Sequence, residues 1–372
     1  MIGSASTAGH VVLVSKGSAL RDGHERATRI AIARRIAALM GCEFAGEHDA
    51  SLRYPMPLYF VPDDTLLREH SLVLGIAHET DFFGGVVPYR FVATKAISHS
   101  AVDPPARVPT GWSPRLGERL AHATLRGFSA FALADARTAA MRLLPYGSVR
   151  IKPAHVSGGG GQRVVDSADE TEHVLSKLDA EAMREHGVVI EQNLEEATTY
   201  SVGRIRVADT TISYHGTQQV TRNHRGHEVY GGSELMIVRG SFDDLLRLDI
   251  DAATRAAIGK AVEYDAVAAL EFEGFLASRR NYDVVLGRDR EGRAHCGVLE
   301  QSWRIGGASA AEVAALEAFK DDPELDVVRA STREMYSAEE PPANANIHFR
   351  GHDEHVGFLT KYSTIDRNGN QA

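Results

Sequence analysis

Short apolar runs, broken by polar, glycine and proline positions, set the rhythm of the chain. Val11-Val12-Leu13-Val14 reads as a buried strand. Between Glu25 and Met40 the residues Ile30, Ala33, Ile36, Ala37 and Met40 recur at helical spacing, and Gly41 ends the helix. Leu58-Tyr59-Phe60-Val61 is a second strand that stops at Pro62-Asp63-Asp64. Strand, helix, strand predicts a small α/β domain with parallel strands. Ser15 and Gly17 follow its first strand, where such sheets bind ligands, although a plain connecting loop is the favoured reading.

Apolar stretches at Leu72–Ile76 and Gly84–Pro88 lead to Phe91-Val92-Ala93-Thr94-Lys95, and a proline-rich connection runs from Pro104 to Pro114. Helical patterns follow at Leu116–Phe131, Ala134–Leu144 and Asp169–Met183, the last with Ser167 or Asp169 as cap. Strands are then predicted at Val188–Ile190, Tyr200–Val207, Thr211–Val220 and Leu235–Val238, and a mostly helical segment at Asp243–Leu270.

Between the second and third of these helices, Val149-Arg150-Ile151 ends in Lys152-Pro153, continues through Ala154-His155-Val156, passes Ser157, Gly158, Gly159, Gly160 and Gly161, and re-enters an apolar run at Val164-Val165. This reads as strand, loop, strand with a cation at the loop's base. Glycines free backbone amides to turn toward an anion, and Lys152 suits phosphate oxygens. A P-loop is excluded because Gln162-Arg163 follow Gly161, and a dinucleotide fingerprint because Arg163 stands where its third glycine belongs. A flexible hairpin tip is the alternative.

A chain of 372 residues is long enough for two or three domains or lobes. With 41 basic against 50 acidic residues, no basic excess favours nucleic acid or an anionic membrane. Cys42 and Cys296 look like reduced thiols, and no signal peptide or spanning segment is apparent, so the cytoplasm is the expected compartment.

Tyr282–Leu286 and His295–Glu300 flank a polar run in which Glu291-Gly292 can form a two-residue turn pairing Arg290 with Arg293. That register puts Asp283 opposite Glu300 on one face, their Cβ atoms about 5 Å apart. Facing carboxylates call for a cation between them or one proton, and oxygen ligands so placed suit magnesium. Solvated acids are the other reading, since a one-residue slip separates the two. Ser302 and Arg304 continue the same face, and an arginine there can hold a phosphate or close a salt bridge. His224, His227, His348, His352 and His355 lack the company of a zinc site and read as solvated loop residues. Trp303 reads as core. Arg222, Arg225, His227 and Tyr230 form a polar insertion, either a substrate lid or a surface loop.

With these pieces placed, the chain resembles the ATP-grasp superfamily. Lys95 resembles its first nucleotide lysine, and Ile151-Lys152-Pro153-Ala154 with Ser157 and Gly158–Gly161 its second lysine and mobile hairpin. Glu191, Gln192, Asn193 and Leu194 resemble the hinge that hydrogen-bonds adenine. Asp283 and Glu300 match the magnesium acids, and Glu300-Gln301-Ser302-Trp303-Arg304 matches Glu-x-Asn-x-Arg with Ser302 in place of asparagine. Thr198-Thr199 stands where the ribose acid is expected, and Glu195 or Glu196 would have to substitute. Val229-Tyr230-Gly231-Gly232-Ser233 adds a likeness to an uncharacterised bacterial family of unknown function, with Tyr230, Gly231, Gly232, Ser233 and Arg222 as substrate-side residues.

The resemblance implies an α/β (α+β) protein: two α+β lobes gripping ATP, preceded by a small Rossmann-like domain. Its expected boundaries are residues 1–94 for that domain and 95–330 for the ATP-grasp domain, with lobes near 115–190 and 191–330; residues 331–372 are an extension. ATP and Mg2+ are the implied cofactors. The implied partners are a small carboxylate and an amine or other nucleophile, with a homodimer left open. An ATP-dependent ligase working through an acylphosphate is expected, in which Arg304 and Arg280 (or Arg279) would steady the acylphosphate. A non-catalytic nucleotide binder and a phosphotransferase are the alternatives.

Overall fold

The computed structural model describes residues 9–16, 23–104, 106–156 and 160–367. The N-terminal sheet holds β1 (His10–Val14), β2 (Glu43–Glu47) and β3 (Leu58–Pro62) in the order β2-β1-β3, all parallel, with helix α1 (His24–Met40) crossing over. The middle strand is the apolar run Val11–Leu13. Edge strand β2 begins at the exposed Glu43 and has no apolar run that would mark it in the sequence.

The second sheet holds β4 (Gly127–Ala130), β5 (Val149–Pro153), β6 (Arg163–Val165) and β7 (Val188–Gln192), ordered β4-β7-β5-β6, with helix α2 (Leu133–Leu143) packed on it. Two expectations are corrected here. The pattern at Leu116–Phe131 yields only a helical turn, Leu116–Arg119, and then strand β4, because Ser129 and Ala130 pair with β7. The helix at 169–183 is two helices, Ala168–Leu175 capped by Ser167 and Ala180–His186 capped by Asp179.

The largest sheet has eight strands. In chain order these are β8 (Glu195–Val207), β9 (Thr210–Arg222), β10 (Glu228–Arg239), β11 (Arg279–Arg288), β12 (Ala294–Ser302), β13 (Val327–Met335), β14 (Asn346–Asp353) and β15 (Gly357–Asp366). Helix α3 (Ala252–Glu271) precedes β11, and α4 (Ser309–Asp321) precedes β13. Spatially the order is β12-β11-β8-β9-β10-β13-β15-β14. The strands between residues 331 and 366 therefore belong to this sheet. On one face α3 packs against Val202, Tyr282, Val284 and Val298; on the other, α4 and α1 pack against Ile205, Tyr214, Leu235 and Ile237. This second core joins the N-terminal domain to the large sheet. Among the described residues, no helix is long and apolar enough to cross a membrane.

His348, expected in a solvated loop, is buried in β14 with Nε2 2.9 Å from Ser363 Oγ. Burial, then the charges of Arg35 and Lys361, push its pKa down to about 4. The unfolded chain protonates this histidine near pH 6.5 and the fold resists it, so stability is lost as pH falls through that window. His348→Gln should remove about 2 kcal/mol of the loss seen between pH 7 and 5, as read by urea unfolding at the two pH values.

Candidate functional site

The face of the large sheet that carries Asp283 meets the β4–β7 sheet along a line of charged side chains. Lys152, on β5, is 2% exposed; its Nζ lies 2.6 Å from Glu191 Oε1 and donates to the Leu299 carbonyl at 3.3 Å. Glu191, on β7, also meets His99 Nε2 at 3.3 Å. Burial pushes the Lys152 pKa down against the pull of Glu191. Burial would raise Glu191, but Lys152 and His99 outweigh it and hold the carboxyl below its usual range. Lys95, in a 3-10 turn opened by Thr94, reaches the same place from another element. Its Nζ lies 2.6 Å from Glu300 Oε2 and 2.6 Å from the Val156 carbonyl.

Asp283 and Glu300 are direct cross-strand partners, as the sequence suggests, although the route differs. Asp289, not a Glu291-Gly292 pair, organises the turn: its Oδ1 accepts from the amides of Glu291 and Arg293, and its Oδ2 takes Arg293 Nε and faces His295 Nε2. Arg288 consequently pairs with Ala294, one register step away from the expected alignment. A bulge between Asp283 and Val284 then restores the facing acids. Burial and the Glu300 charge raise the Asp283 pKa to about 6. The cation demanded by this pair is supplied by Lys95, which sits on Glu300.

At the hinge, the amide of Gln192 donates to the Arg126 carbonyl and that of Asn193 to Ser148, each at 2.9 Å, while Arg150 grips Asn193 Oδ1. Leu194 joins Leu125, Val285 and Leu299 in a small apolar cluster beside Lys152 and Glu300. Gly160 and Gly161 lie on the returning side of the hairpin, Gly161 with φ +69°; Ser157, Gly158 and Gly159 fall outside the described residues. Glu196 has φ +49° and a side chain 79% exposed, 3.5 Å from Arg288, so it stands on the surface.

Neither arginine before Asp283 reaches the acids. Arg280 is on the opposite face, paired with Asp265 at 2.9 Å and Glu79 at 2.5 Å. Arg279 is buried in a two-pronged pair with Glu312. Arg280 as a catalytic residue is therefore corrected to a buried strut: alternation along β11 turns 280 and 282 away from 281 and 283. Arg304 keeps a partly open guanidinium, 33% exposed, 4.0 Å from Asp64. Ser302 pairs across the ladder with Asn281.

The substrate-side residues divide. Tyr230 turns its hydroxyl to Ser233 and Thr332, at 2.7 and 3.1 Å, and a Cβ at Gly307 would lie 2.4 Å from its ring. Burial pushes the Tyr230 hydroxyl up to about 12, with smaller pushes from the charges of Glu334 and then Asp283. A Cβ at Gly232 would lie 2.0 Å from the Thr332 carbonyl on β13, and one at Gly231 would lie 2.9 Å from the Thr221 amide on β9, so the two glycines let β10 lie close to both neighbours. Arg222 stands at the outer end of the hairpin, 75% exposed, 4.0 Å from Glu228. His99, Leu125, Gln218 and Leu299 went unmarked in the sequence. Leu299 and Gln218 lie on strands whose alternation could have placed them, but His99 is brought in only by the tertiary fold.

A family model described as "protein of unknown function (DUF3182)" matches residues 12–363. No curated protein matches the chain. Among solved structures, biotin carboxylase from Campylobacter jejuni in complex with β,γ-ATP superposes with a TM-score of 0.53 at 12% identity, covering 96% of this chain and 87% of that one. Phosphoribosylamine–glycine ligase from Thermotoga maritima superposes with a TM-score of 0.52 at 16% identity, covering 95% and 91%. Both show the ATP-grasp fold. The chain belongs to the DUF3182 family, and its fold is ATP-grasp.

Proposed function

We propose that this protein is an ATP- and magnesium-dependent ligase that activates a small carboxylate as an acylphosphate, for displacement by an amine or another nucleophile. One observation carries the reading: two buried lysines from separate elements, Lys95 and Lys152, converge with Asp283 and Glu300 on one cleft, each lysine neutralised by a carboxylate. Lysines held this way can exchange a carboxylate partner for a triphosphate without being left buried and unpaired. The names of the two similar structures, a carboxylase bound to an ATP analogue and a ligase, support the same reaction class.

Lys152 and Lys95 would take phosphate oxygens, and the cluster of Leu125, Leu194, Val285 and Leu299 would cover adenine, with backbone groups of Gln192 to Leu194 other than the Gln192 and Asn193 amides reading its edge. The donor set fits magnesium. Asp283 and Glu300 offer hard oxygen ligands, and no group of three or more His, Cys, Asp or Glu able to hold a metal occurs among the described residues, so phosphate and water must complete the shell. Bound there, the ion supplies charge neutralisation on the phosphates. Arg304, two residues beyond Ser302, would steady the acylphosphate. The bond formed is between substrate carboxylate oxygen and γ-phosphorus, and the bond broken leaves ADP; attack of the nucleophile on the acyl carbon then releases phosphate. Tyr230 and Ser233 would border the carboxylate.

A nucleotide binder without turnover is the second reading, favoured by Ser302 and by the commitment of Arg279 and Arg280 to buried ion pairs. ADP release, screened across pools of carboxylates and amines, separates the two. Release that requires a carboxylate supports the ligase, and ATP binding with no release in any pool supports the binder. Independently, an ATP analogue with magnesium should slow amide exchange across Arg163–Val165 as the hairpin closes, and equal exchange with and without ligand counts against closure.

A further inference from the structure

The two oxygens of Asp283 have different surroundings. Oδ1 receives Gln218 Nε2 at 2.7 Å and Asn281 Nδ2 at 3.0 Å, and Ser201 Oγ lies 3.5 Å from the same oxygen. Two N–H donors use the two lone pairs of one carboxylate oxygen, and a carboxylate that only accepts fixes both amides with nitrogen toward it. Among the described residues, no hydrogen bond reaches Oδ2.

This arrangement is braced from behind. Asn281 Oδ1 accepts from Ser201 Oγ at 2.9 Å and lies 2.7 Å from the Tyr214 hydroxyl. That hydroxyl is also 2.8 Å from Glu312 Oε1 on α4, and Glu312 holds Arg279. Arg279 Nη1 in turn donates to the carbonyls of Ser302, at 3.2 Å, and Arg304. Arg279, Tyr214, Asn281 and Glu312 are all buried. The brace thus ties the orientation of Asp283 to the strand segment that carries Ser302 and Arg304.

We propose that Gln218 and Asn281 are specificity-determining residues for the divalent cation, because they occupy Oδ1 of Asp283 and leave a metal one carboxylate oxygen. Small octahedral ions take carboxylates one oxygen at a time and complete their shell with water and phosphate. Calcium has more ligand positions and often takes both oxygens. The site therefore selects magnesium or manganese over calcium by occupying the second oxygen rather than by cavity size. Gln218 acts directly from β9; Tyr214 is a positioning residue acting through Asn281. This inference rests on the magnesium-nucleotide reading.

The test is calorimetric titration of ATP into the full chain with Mg2+, Ca2+ or EDTA, on wild type, Gln218→Met and Tyr214→Phe. In wild type, Mg2+ should tighten ATP at least about tenfold more than Ca2+ does. Gln218→Met keeps length and removes the donor; it should narrow that gap about fivefold or more by freeing Oδ1 for calcium. Tyr214→Phe should narrow it in the same direction but less, and it decides the matter if Gln218→Met does not fold. A wild type tightened equally by both ions overturns the inference, as does an unchanged gap in the folded variants; in both cases the metal-nucleotide reading stands. A wild type tightened by neither ion overturns both.

Discussion

Lys152→Met should weaken ATP binding by about a hundredfold, the loss of one desolvated charge-assisted contact to phosphate. The same change should cost the empty protein about 3 kcal/mol, because Glu191 is fully buried and would keep only His99 as a partner. The two effects separate in the double variant Lys152→Met/Glu191→Gln, in which no lone charge remains. Stability should return most of the way while affinity stays low. Urea unfolding and calorimetry on the single and double variants read both quantities. Recovery of affinity with stability would mean that Lys152 is only a structural partner of Glu191.

The two proposed metal acids, Asp283 and Glu300, should respond in opposite ways. Glu300→Gln strips the carboxylate from Lys95, which is 3% exposed and would keep only the Val156 carbonyl. The Glu300 side chain is 22% exposed, so solvent softens the loss, and the empty protein should lose about 2 kcal/mol. Asp283→Asn should instead stabilise it at neutral pH by up to about 2 kcal/mol. The sign follows from the raised pKa. Between pH 4 and 6 the fold holds a proton that the unfolded chain has released, so the Asp283 contribution falls as pH rises through that window. Both variants should lose most of the tightening of ATP by magnesium. Unfolding at pH 7.5 checks the opposition, and equal shifts for the two acids would refute the assignment of Lys95 to Glu300.

The sequence carried the positions of the charged groups better than their partners. Lys152 before the glycines, and Asp283 and Glu300 in flanking strands, are set by local alternation and spacing. The facing of the two acids was expected from a two-residue turn, whereas it arises from the Asp289-centred turn and a compensating bulge; two local irregularities cancel, and no periodicity records either. That Lys95 covers Glu300 and Lys152 covers Glu191 is tertiary information, because those partners are brought together by different sheets. Arg280 went astray for a simpler reason. Closeness in sequence to Asp283 suggested shared function, although an odd separation along a strand places two side chains on opposite faces. The strands after residue 330 contain much Thr, Ser and Arg, and they join the sheet through pairing with β10 that no apolar run announces.

The site is proposed to hold ATP with a divalent ion on Asp283 and Glu300. The most direct test of this is the affinity of wild type and Asp283→Asn for ATP, titrated with and without magnesium. Magnesium should tighten ATP on wild type by about tenfold or more and on Asp283→Asn by much less. Equal affinity with and without magnesium on wild type would contradict the proposal.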